Sequence, residues 1–236
     1  MTYTIIAVTL VGLFGVYYLS KNKKQPVKAP KPNTIEMIDN IDHMWSVFDL
    51  ISPKPNAFDK PQMICNQIKA IPQDIPIKLV LQTNGGGLSA CEKILKQLKK
   101  HPAGYIAYIK RECFSAGTIL ALGAKEIVMI EDSYLGKIDP QVSSITTSYS
   151  VILYANLEDK YVTDKNIDKV RQSKQVLNHM DLLLDLIFTD PEVKTKVTNK
   201  MIYSELPHYK TFDMQECLDI GLNVRKPTIE EVGYFQ

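Results

Sequence analysis

Two short segments of the sequence carry the residues that could do chemistry. Residues 83–87 (TNGGG) hold three consecutive glycines, whose missing side chains would let a substrate carbonyl approach the backbone. Residues 113–118 (CFSAGT) place Ser115 directly before a run of small residues that suits the start of a helix. Each segment alone has an ordinary explanation, a tight turn for the glycines and a helix N-cap for the serine. Together they could supply a nucleophile and an oxyanion hole.

Short apolar runs before these segments predict buried strands, and the stretches between them predict helices. The predicted strands are residues 77–81, 105–109 and 127–130, the predicted helices are residues 61–71, 90–101 and 116–124, and residues 35–51 form an amphipathic stretch. Alternating strands and helices predict parallel βαβ units and therefore an α/β fold. Because the carboxyl ends of adjacent parallel strands meet at one edge of a sheet, we expect the two segments to lie side by side.

Six short motifs follow one another along the chain. They are Thr83-Asn84-Gly85-Gly86, Ser115-Ala116-Gly117, AKEIVM at 124–129, LGKIDPQ at 135–141, LPHY at 206–209 and GLNV at 221–224. This series resembles the serine dehydrogenase proteinase family, which comprises Clp-protease-class membrane peptidases related to signal peptide peptidase A. Asn84 stands where the family has proline. The resemblance runs from about residue 75 to residue 224 and implies the Clp protease/crotonase-like superfold.

The resemblance also implies roles for residues at the two segments. Ser115 is the expected nucleophile, and the N–H groups of Gly86 and Ala116 are the expected oxyanion hole, with Gly85 and Gly87 beside the substrate. Clp protease carries its catalytic histidine roughly 25 residues after the serine, but residues 138–142 contain none. We therefore expect the Ser-Lys dyad of the signal peptide peptidases, in which a desolvated lysine takes the serine proton.

Helical phase selects among the lysines downstream of Ser115. The candidates are Lys160, Lys165, Lys169 and Lys174. Within residues 163–188 the apolar positions 167, 170, 177 and 184 predict an inward stripe that includes Lys174, whereas Lys169 falls on a polar side. Lys174 is therefore the predicted base, with Lys165 and Lys169 as alternatives. A lysine that merely extends its amine to water at the helix edge would look the same in sequence.

Other polar residues have simpler interpretations. Cys113 is expected to pack, Asp139 to brace the turn at 138–141, and His208 to hydrogen-bond within a loop or contact substrate. Four scattered cysteines without a C-x-x-C pair indicate reduced thiols. A net charge of +2 and four unpaired histidines argue against a nucleic-acid surface and a metal site, and no cofactor is expected.

The first 33 residues differ in composition from the rest of the chain. Residues 4–19 are almost wholly apolar, and Lys21, Lys23 and Lys24 follow directly. This predicts a single-pass membrane anchor at residues 1–20, in preference to a cleaved signal peptide or a peripheral helix. The lysines would keep the rest of the chain on the cytosolic side. Residues 21–33 predict a Lys/Pro-rich linker, and residues 34–236 a single peptidase domain.

The combined expectation is a membrane-anchored serine peptidase that acts on membrane-associated proteins or their fragments. The resemblance also implies a homo-oligomer. Two alternatives stay open: a crotonase-type acyl-CoA enzyme, which uses the same kind of oxyanion hole without a serine nucleophile, and an inactive membrane scaffold that keeps only the fold.

Overall fold

A mostly parallel β-sheet forms the centre of the fold in the computed structural model, which describes residues 33–39, 56–142 and 148–235. Its strands are β1 (Thr34–Ile38), β2 (Ile77–Thr83), β3 (Tyr105–Cys113), β4 (Glu126–Met129), β5 (Tyr134–Gly136), β6 (Thr211–Phe212) and β7 (Val224–Arg225). The order is β1-β2-β3-β4-β7; β5 runs parallel beside the end of β3 and pairs antiparallel with β6. The predicted parallel α/β architecture is confirmed.

Helices connect the strands and cover the sheet. They are α1 (Pro61–Ala70), α2 (Leu88–Lys99), α3 (Ala116–Leu122), α4 (Ser148–Ala155), α5 (Ile167–Ile187), α6 (Pro191–Val197) and α7 (Met214–Ile220). A 3-10 turn at Ala57–Asp59 precedes α1, and a π-helical turn at Thr198–Ile202 continues α6. Further 3-10 turns lie at Asp159–Tyr161 and Val232–Tyr234.

The two faces of the sheet are covered differently. Leu79 and Leu81 of β2 point into the large core shared with α1, α2 and α3, whereas Val80 points to the opposite face, as the period of two in a strand requires. On that second face Val80 packs with Tyr108 and Val128. Both faces are therefore buried, which explains why β2 reads as a continuous apolar run.

Two sequence-based assignments are corrected by the structure. The stretch at 35–51 begins with a strand, β1, whose burial alternates residue by residue. The predicted inward stripe of α5 is wrong at two positions, because Ile167 is 52% exposed and Lys174 is exposed. The buried face includes Val170, as predicted, and also Ser173. A count of apolar positions could not include that serine.

The predicted membrane anchor and the linker at residues 1–32 lie outside the described residues. Among the helices that are described, none combines the length and the apolar character needed to cross a membrane.

Candidate active site

Ser115 lies at the corner where β3 ends and α3 begins. Its backbone has φ 50° and ψ −118°, a left-handed conformation that is unusual for a residue with a side chain. Such strain persists only where the surrounding structure imposes it, and it is found most often at functional sites. The serine occupies the N-cap position of α3, but its side chain makes no capping hydrogen bond. The hydroxyl is therefore available for another role.

The glycine segment lies against this corner. β2 and β3 run further than predicted, so that Thr83 at the end of β2 is level with Cys113 at the end of β3. Gly85 has φ +93°, and a Cβ atom there would lie 2.7 Å from the carbonyl oxygen of Phe114 and 2.8 Å from Cβ of Ser115. Only glycine fits this contact. The two segments are thus side by side, as the sequence predicts.

Most backbone N–H groups of the glycine segment are already bonded. Asn84 N–H donates to Oδ2 of Asp39 at 3.1 Å, and Gly85 N–H donates to Oγ1 of Thr83 at 3.0 Å. Among the described residues, no acceptor lies on the N–H of Gly86 or of Gly87. A substrate oxygen could therefore be bound by either group.

Most backbone N–H groups around Ser115 are also bonded. Phe114 N–H donates to the carbonyl of Thr83 at 2.9 Å, Ser115 N–H to that of Lys137 at 3.2 Å, and Gly117 N–H to that of Phe114 at 2.9 Å. Within the described part of the chain, the N–H of Ala116 has no acceptor. The N–H groups left over at the two segments thus include the pair, Gly86 and Ala116, that the resemblance assigns to an oxyanion hole.

Asp39 organises the glycine segment and was not recognised from the sequence. Its carboxylate is 7% exposed and accepts hydrogen bonds from the Thr83 hydroxyl at 2.5 Å and from the N–H of Ala57 at 2.8 Å, besides the Asn84 N–H. The only signal was an acidic residue directly after an apolar alternation, and it becomes visible once residues 34–38 are recognised as a strand.

Asp139 and His208 form a carboxylate–imidazole pair in which the carboxylate is buried and the imidazole is partly exposed. Oδ1 of Asp139, a residue only 1% exposed, lies 2.8 Å from Nδ1 of His208. A carboxylate requires a donor, so the imidazole tautomer that fits has its proton on Nδ1. Nε2 then carries a lone pair, and it has no partner among the described residues. The side chain of His208 is 37% exposed, so this nitrogen can reach a substrate.

Lys137 contacts both Ser115 and the Asp139–His208 pair. Its backbone carbonyl accepts the Ser115 N–H, and its side chain, in a residue 1% exposed, donates to the carbonyls of Ser204 at 2.7 Å and Leu206 at 2.8 Å. Nζ also lies 3.8 Å from Oδ2 of Asp139. Burial lowers the pKa of the Lys137 ammonium, although Asp139 opposes that shift. Two backbone carbonyls thus accept hydrogen bonds from Nζ, and the carboxylate of Asp139 forms a longer ion pair that favours the ammonium form.

Lys174, the predicted base, is not on a buried face. Its side chain is exposed and lines an open surface groove with Asp159, Val162 and Arg171. No hydrogen bond or ion pair joins it to another described residue. Of the alternatives, Lys165 is exposed, and Lys169 lies 5.5 Å above the ring of Tyr154. The structural premise for Lys174, a desolvated amine, is therefore wrong, and its catalytic role stays a prediction.

Cys113 is completely buried, and burial raises the pKa of its thiol. A thiol held in its protonated form is a poor nucleophile, which fits a packing role. In the described ranges no three His, Cys, Asp or Glu side chains cluster closely enough to hold a metal ion.

One protein-family model and two individual relatives are similar to this chain in sequence. A family model described as ClpP-like SDH-type serine proteinase matches residues 30–235. Two uncharacterised proteins of Methanocaldococcus jannaschii are 29% identical over 179 residues and 27% identical over 171 residues. These alignments cover 75% and 71% of this chain but 63% and 58% of the relatives, so the chain spans about three-fifths of their length.

Among solved structures, a mutant of 1510-N, a membrane-bound stomatin-specific protease in complex with a substrate peptide, is similar with a TM-score of 0.47 and 18% identity. The superposition covers 75% of this chain and 71% of that one.

Proposed function

The chain belongs to the ClpP-like SDH-type serine proteinase family, and from that premise we propose that it is a serine peptidase with Ser115 as nucleophile. The observation that carries this proposal is the strained Ser115 corner, which lies against Gly85. Its N–H is bonded to the carbonyl of Lys137, two residues before the carboxylate that orients His208. A nucleophile, free backbone donors and an oriented imidazole are the parts that acyl transfer needs.

The proposed reaction begins when Oγ of Ser115 attacks the scissile carbonyl while Nε2 of His208 takes the hydroxyl proton. Asp139, bonded to the Nδ1 proton of His208, stabilises the imidazolium that results. The oxyanion accepts hydrogen bonds from the N–H groups of Gly86 and Ala116. The C–N bond then breaks, and His208 returns its proton to the leaving amine. Water attacks the acyl-serine ester by the same route and releases the acid and free Ser115.

His208 is a better candidate for the base than Lys174. The imidazole of His208 is oriented by a buried carboxylate, whereas the amine of Lys174 is exposed and has no partner among the described residues. A lysine can act as the base where burial of its amine favours the neutral form, and Lys174 is not buried. Lys137 is buried, but its Nζ already donates to two backbone carbonyls, and the nearby carboxylate of Asp139 favours the charged ammonium. The Ser-Lys dyad with Lys174 therefore remains as the alternative mechanism for the same activity.

Labelling with a fluorescent fluorophosphonate tests the proposal, because the probe reacts with activated serines. We expect Ser115→Ala to abolish labelling and His208→Ala to slow it by about 10² to 10⁴-fold, whereas Lys174→Ala stays within about threefold of the wild-type rate. Slow labelling of Lys174→Ala combined with normal labelling of His208→Ala would establish the Ser-Lys dyad instead.

The same labelling, together with an assay of casein degradation, distinguishes the peptidase from the two other functional classes. A crotonase-type acyl-CoA enzyme or an inactive scaffold would leave the wild-type protein unlabelled and would not degrade casein. Either result would overturn the proposed peptidase activity, provided that circular dichroism shows a folded protein.

We further propose that residues 1–20 tether the chain to a membrane, with the peptidase domain on the cytosolic side, acting on membrane-associated proteins as a homo-oligomer. The apolar run at residues 4–19 and the lysines that follow support the tether. Full-length protein should stay in the membrane fraction after carbonate extraction, and a variant without residues 1–20 should not. Light scattering of the detergent-solubilised protein would test the oligomer, which a monomeric mass would contradict.

A further inference from the structure

One side chain controls the direction of the peptide bond between Gly85 and Gly86. Nδ2 of Asn56 donates to the carbonyl oxygen of Gly85 at 2.6 Å. A trans peptide is planar, so the carbonyl of one residue and the N–H of the next point in opposite directions. No cis peptide bond occurs in the described ranges. The bond from Asn56 therefore directs the Gly86 N–H to the side of the loop away from Asn56.

This peptide bond has few restraints of its own. Gly85 and Gly86 have no Cβ atoms, so their own side chains do not restrict the backbone dihedrals on either side of it. Phe58 packs closely against Gly86, and Asn56 caps the turn that holds Phe58. The neighbouring Asn84 and Gly85 N–H groups are held by Asp39 and Thr83, but nothing among the described residues binds the Gly86 N–H. A rotated peptide would present a carbonyl oxygen where the proposed oxyanion hole needs a donor, and it would repel the oxyanion.

Asn56 is itself held rigidly. Its Oδ1 accepts the N–H of Phe58 at 2.7 Å, and its backbone N–H donates to Asp59 at 2.7 Å, which forms a capping box. The N–H of Ala57 is bound by the carboxylate of Asp39. The same carboxylate binds the end of β2, so one buried group positions both Asn56 and the glycine segment.

We propose that Asn56 is the positioning residue of the oxyanion hole, and that its amide keeps the Gly86 N–H directed at the substrate. The inference rests on the proposed peptidase function of Ser115. Asn56 does not touch the reacting atoms in this scheme. It acts only through the peptide plane of Gly85 and Gly86, so its loss should slow the chemical step and leave substrate binding nearly unchanged.

The variant Asn56→Asp separates this role from the structural one. Aspartate keeps the acceptor for the Phe58 N–H and so preserves the cap. It replaces the donor with an oxygen that repels the Gly85 carbonyl. Asn56→Ser is a second, uncharged variant that keeps a cap acceptor but cannot extend as far. Asn66→Asp is the matched control: Asn66 is exposed on α1 and uses its Oδ1 as an acceptor for Gln62, which aspartate preserves.

The rate of fluorophosphonate labelling as a function of probe concentration gives kinact and KI separately. We expect Asn56→Asp to lower kinact by about 100-fold, with KI within about threefold of wild type. Asn56→Ser should lower kinact in the same direction, and Asn66→Asp should match wild type in both constants. Melting temperatures measured in parallel show whether each variant is folded.

Failure of the positioning role of Asn56 and failure of the proposed peptidase function give different results. If wild type and Asn66→Asp both label at Ser115, while folded Asn56→Asp and Asn56→Ser label with the wild-type kinact, the positioning role of Asn56 is refuted and the peptidase remains. If wild type itself does not label, the proposed function is refuted, and the role of Asn56 with it.

Discussion

Lys137 influences the site without contacting any reacting atom. Its ammonium lies 3.8 Å from the carboxylate that holds His208, and both groups are buried at that point. A nearby cation compensates the buried charge of the Asp139 carboxylate. Gln141 is a neutral neighbour of His208.

The variant Lys137→Met removes this cation while keeping an unbranched side chain. Without it, the buried Asp139 carboxylate loses the cation 3.8 Å away, and the carbonyls of Ser204 and Leu206 lose their donor. We expect the variant to lose about 3–5 kcal/mol of unfolding free energy, measured by urea denaturation, and to label Ser115 more slowly than wild type.

Lys200→Met is the control for this measurement, since Lys200 is exposed. Its unfolding free energy should stay within about 0.5 kcal/mol of the wild-type value. Equal stability of Lys137→Met and Lys200→Met would contradict the electrostatic role of the buried ammonium.

Some residues of the site could be predicted from a local motif, whereas others depend on contacts between distant parts of the chain. Ser115 and the glycines could be predicted because each belongs to a short motif directly after a strand. Asp139 and His208 are 69 residues apart, and their partnership exists only in the folded chain. Lys174 was selected by helical phase, and the phase failed because a buried position of α5 is taken by Ser173 rather than by an apolar residue.

At the scale of elements, the contact between the glycine segment and the β3–α3 corner depends on backbone approach. Gly85→Ala would bring Cβ to within 2.7 Å of a backbone carbonyl and would require an alanine at φ +93°. We expect this variant to lose about 1–3 kcal/mol of unfolding free energy and most of its labelling activity. Urea denaturation and fluorophosphonate labelling measure the two effects.

Gly87→Ser provides the comparison two residues away. Nothing lies within 4 Å of a Cβ atom added at Gly87, and this residue is the N-cap of α2 with φ −63°. Serine is a better N-cap than glycine, so stability should be equal or higher by about 0.5 kcal/mol. Equal losses in the two variants would indicate that the close approach at Gly85 is not what stabilises the corner.

Strands β2 and β3 were easier to predict than β1 for a physical reason. Strands β2 and β3 are buried on both faces and read as apolar runs, whereas β1 has five residues in which Ile35 and Met37 alternate with the exposed Glu36. Five residues are too few to separate a period of two from one of 3.6. The interpretation of residues 35–51 as one amphipathic stretch therefore hid both the strand and Asp39 behind it.

At the scale of the whole domain, the C-terminal residues close the second face of the sheet. The ring of Tyr234 lies 4.7 Å from that of Tyr108, and Phe235 also packs on this face. Glu231 anchors the segment: its carboxylate accepts two hydrogen bonds from Arg225, at 2.6 and 2.9 Å, and one from the Tyr108 hydroxyl at 2.8 Å. One ionised carboxylate thus joins the C-terminal segment to β3 and β7.

This anchor should make stability depend on pH. The hydrogen bonds from Arg225, the largest cause, hold the pKa of Glu231 at about 2, below the usual value of about 4.3 in an unfolded chain. A carboxyl group whose pKa is lower in the folded state contributes its full stabilisation above the unfolded-state pKa. That stabilisation is lost as the pH falls through the folded-state pKa. The contribution should therefore be complete above about pH 5 and largely gone by about pH 2.5, with a size of about 1–3 kcal/mol.

Urea denaturation of wild type and Glu231→Gln at several pH values measures this contribution. At pH 7 the variant should be less stable by about 1–3 kcal/mol. The difference should shrink as the pH falls toward 2.5, because the Glu231 carboxyl of the unfolded wild type then takes up a proton while that of the folded protein does so only near pH 2. Glu230→Gln is the matched control, since the neighbouring Glu230 is exposed and has no ion pair among the described residues; its effect should be small at every pH. A Glu231→Gln deficit that stays constant down to pH 2.5 would show that Glu231 stabilises the segment through packing, and that the charge of its carboxylate contributes nothing.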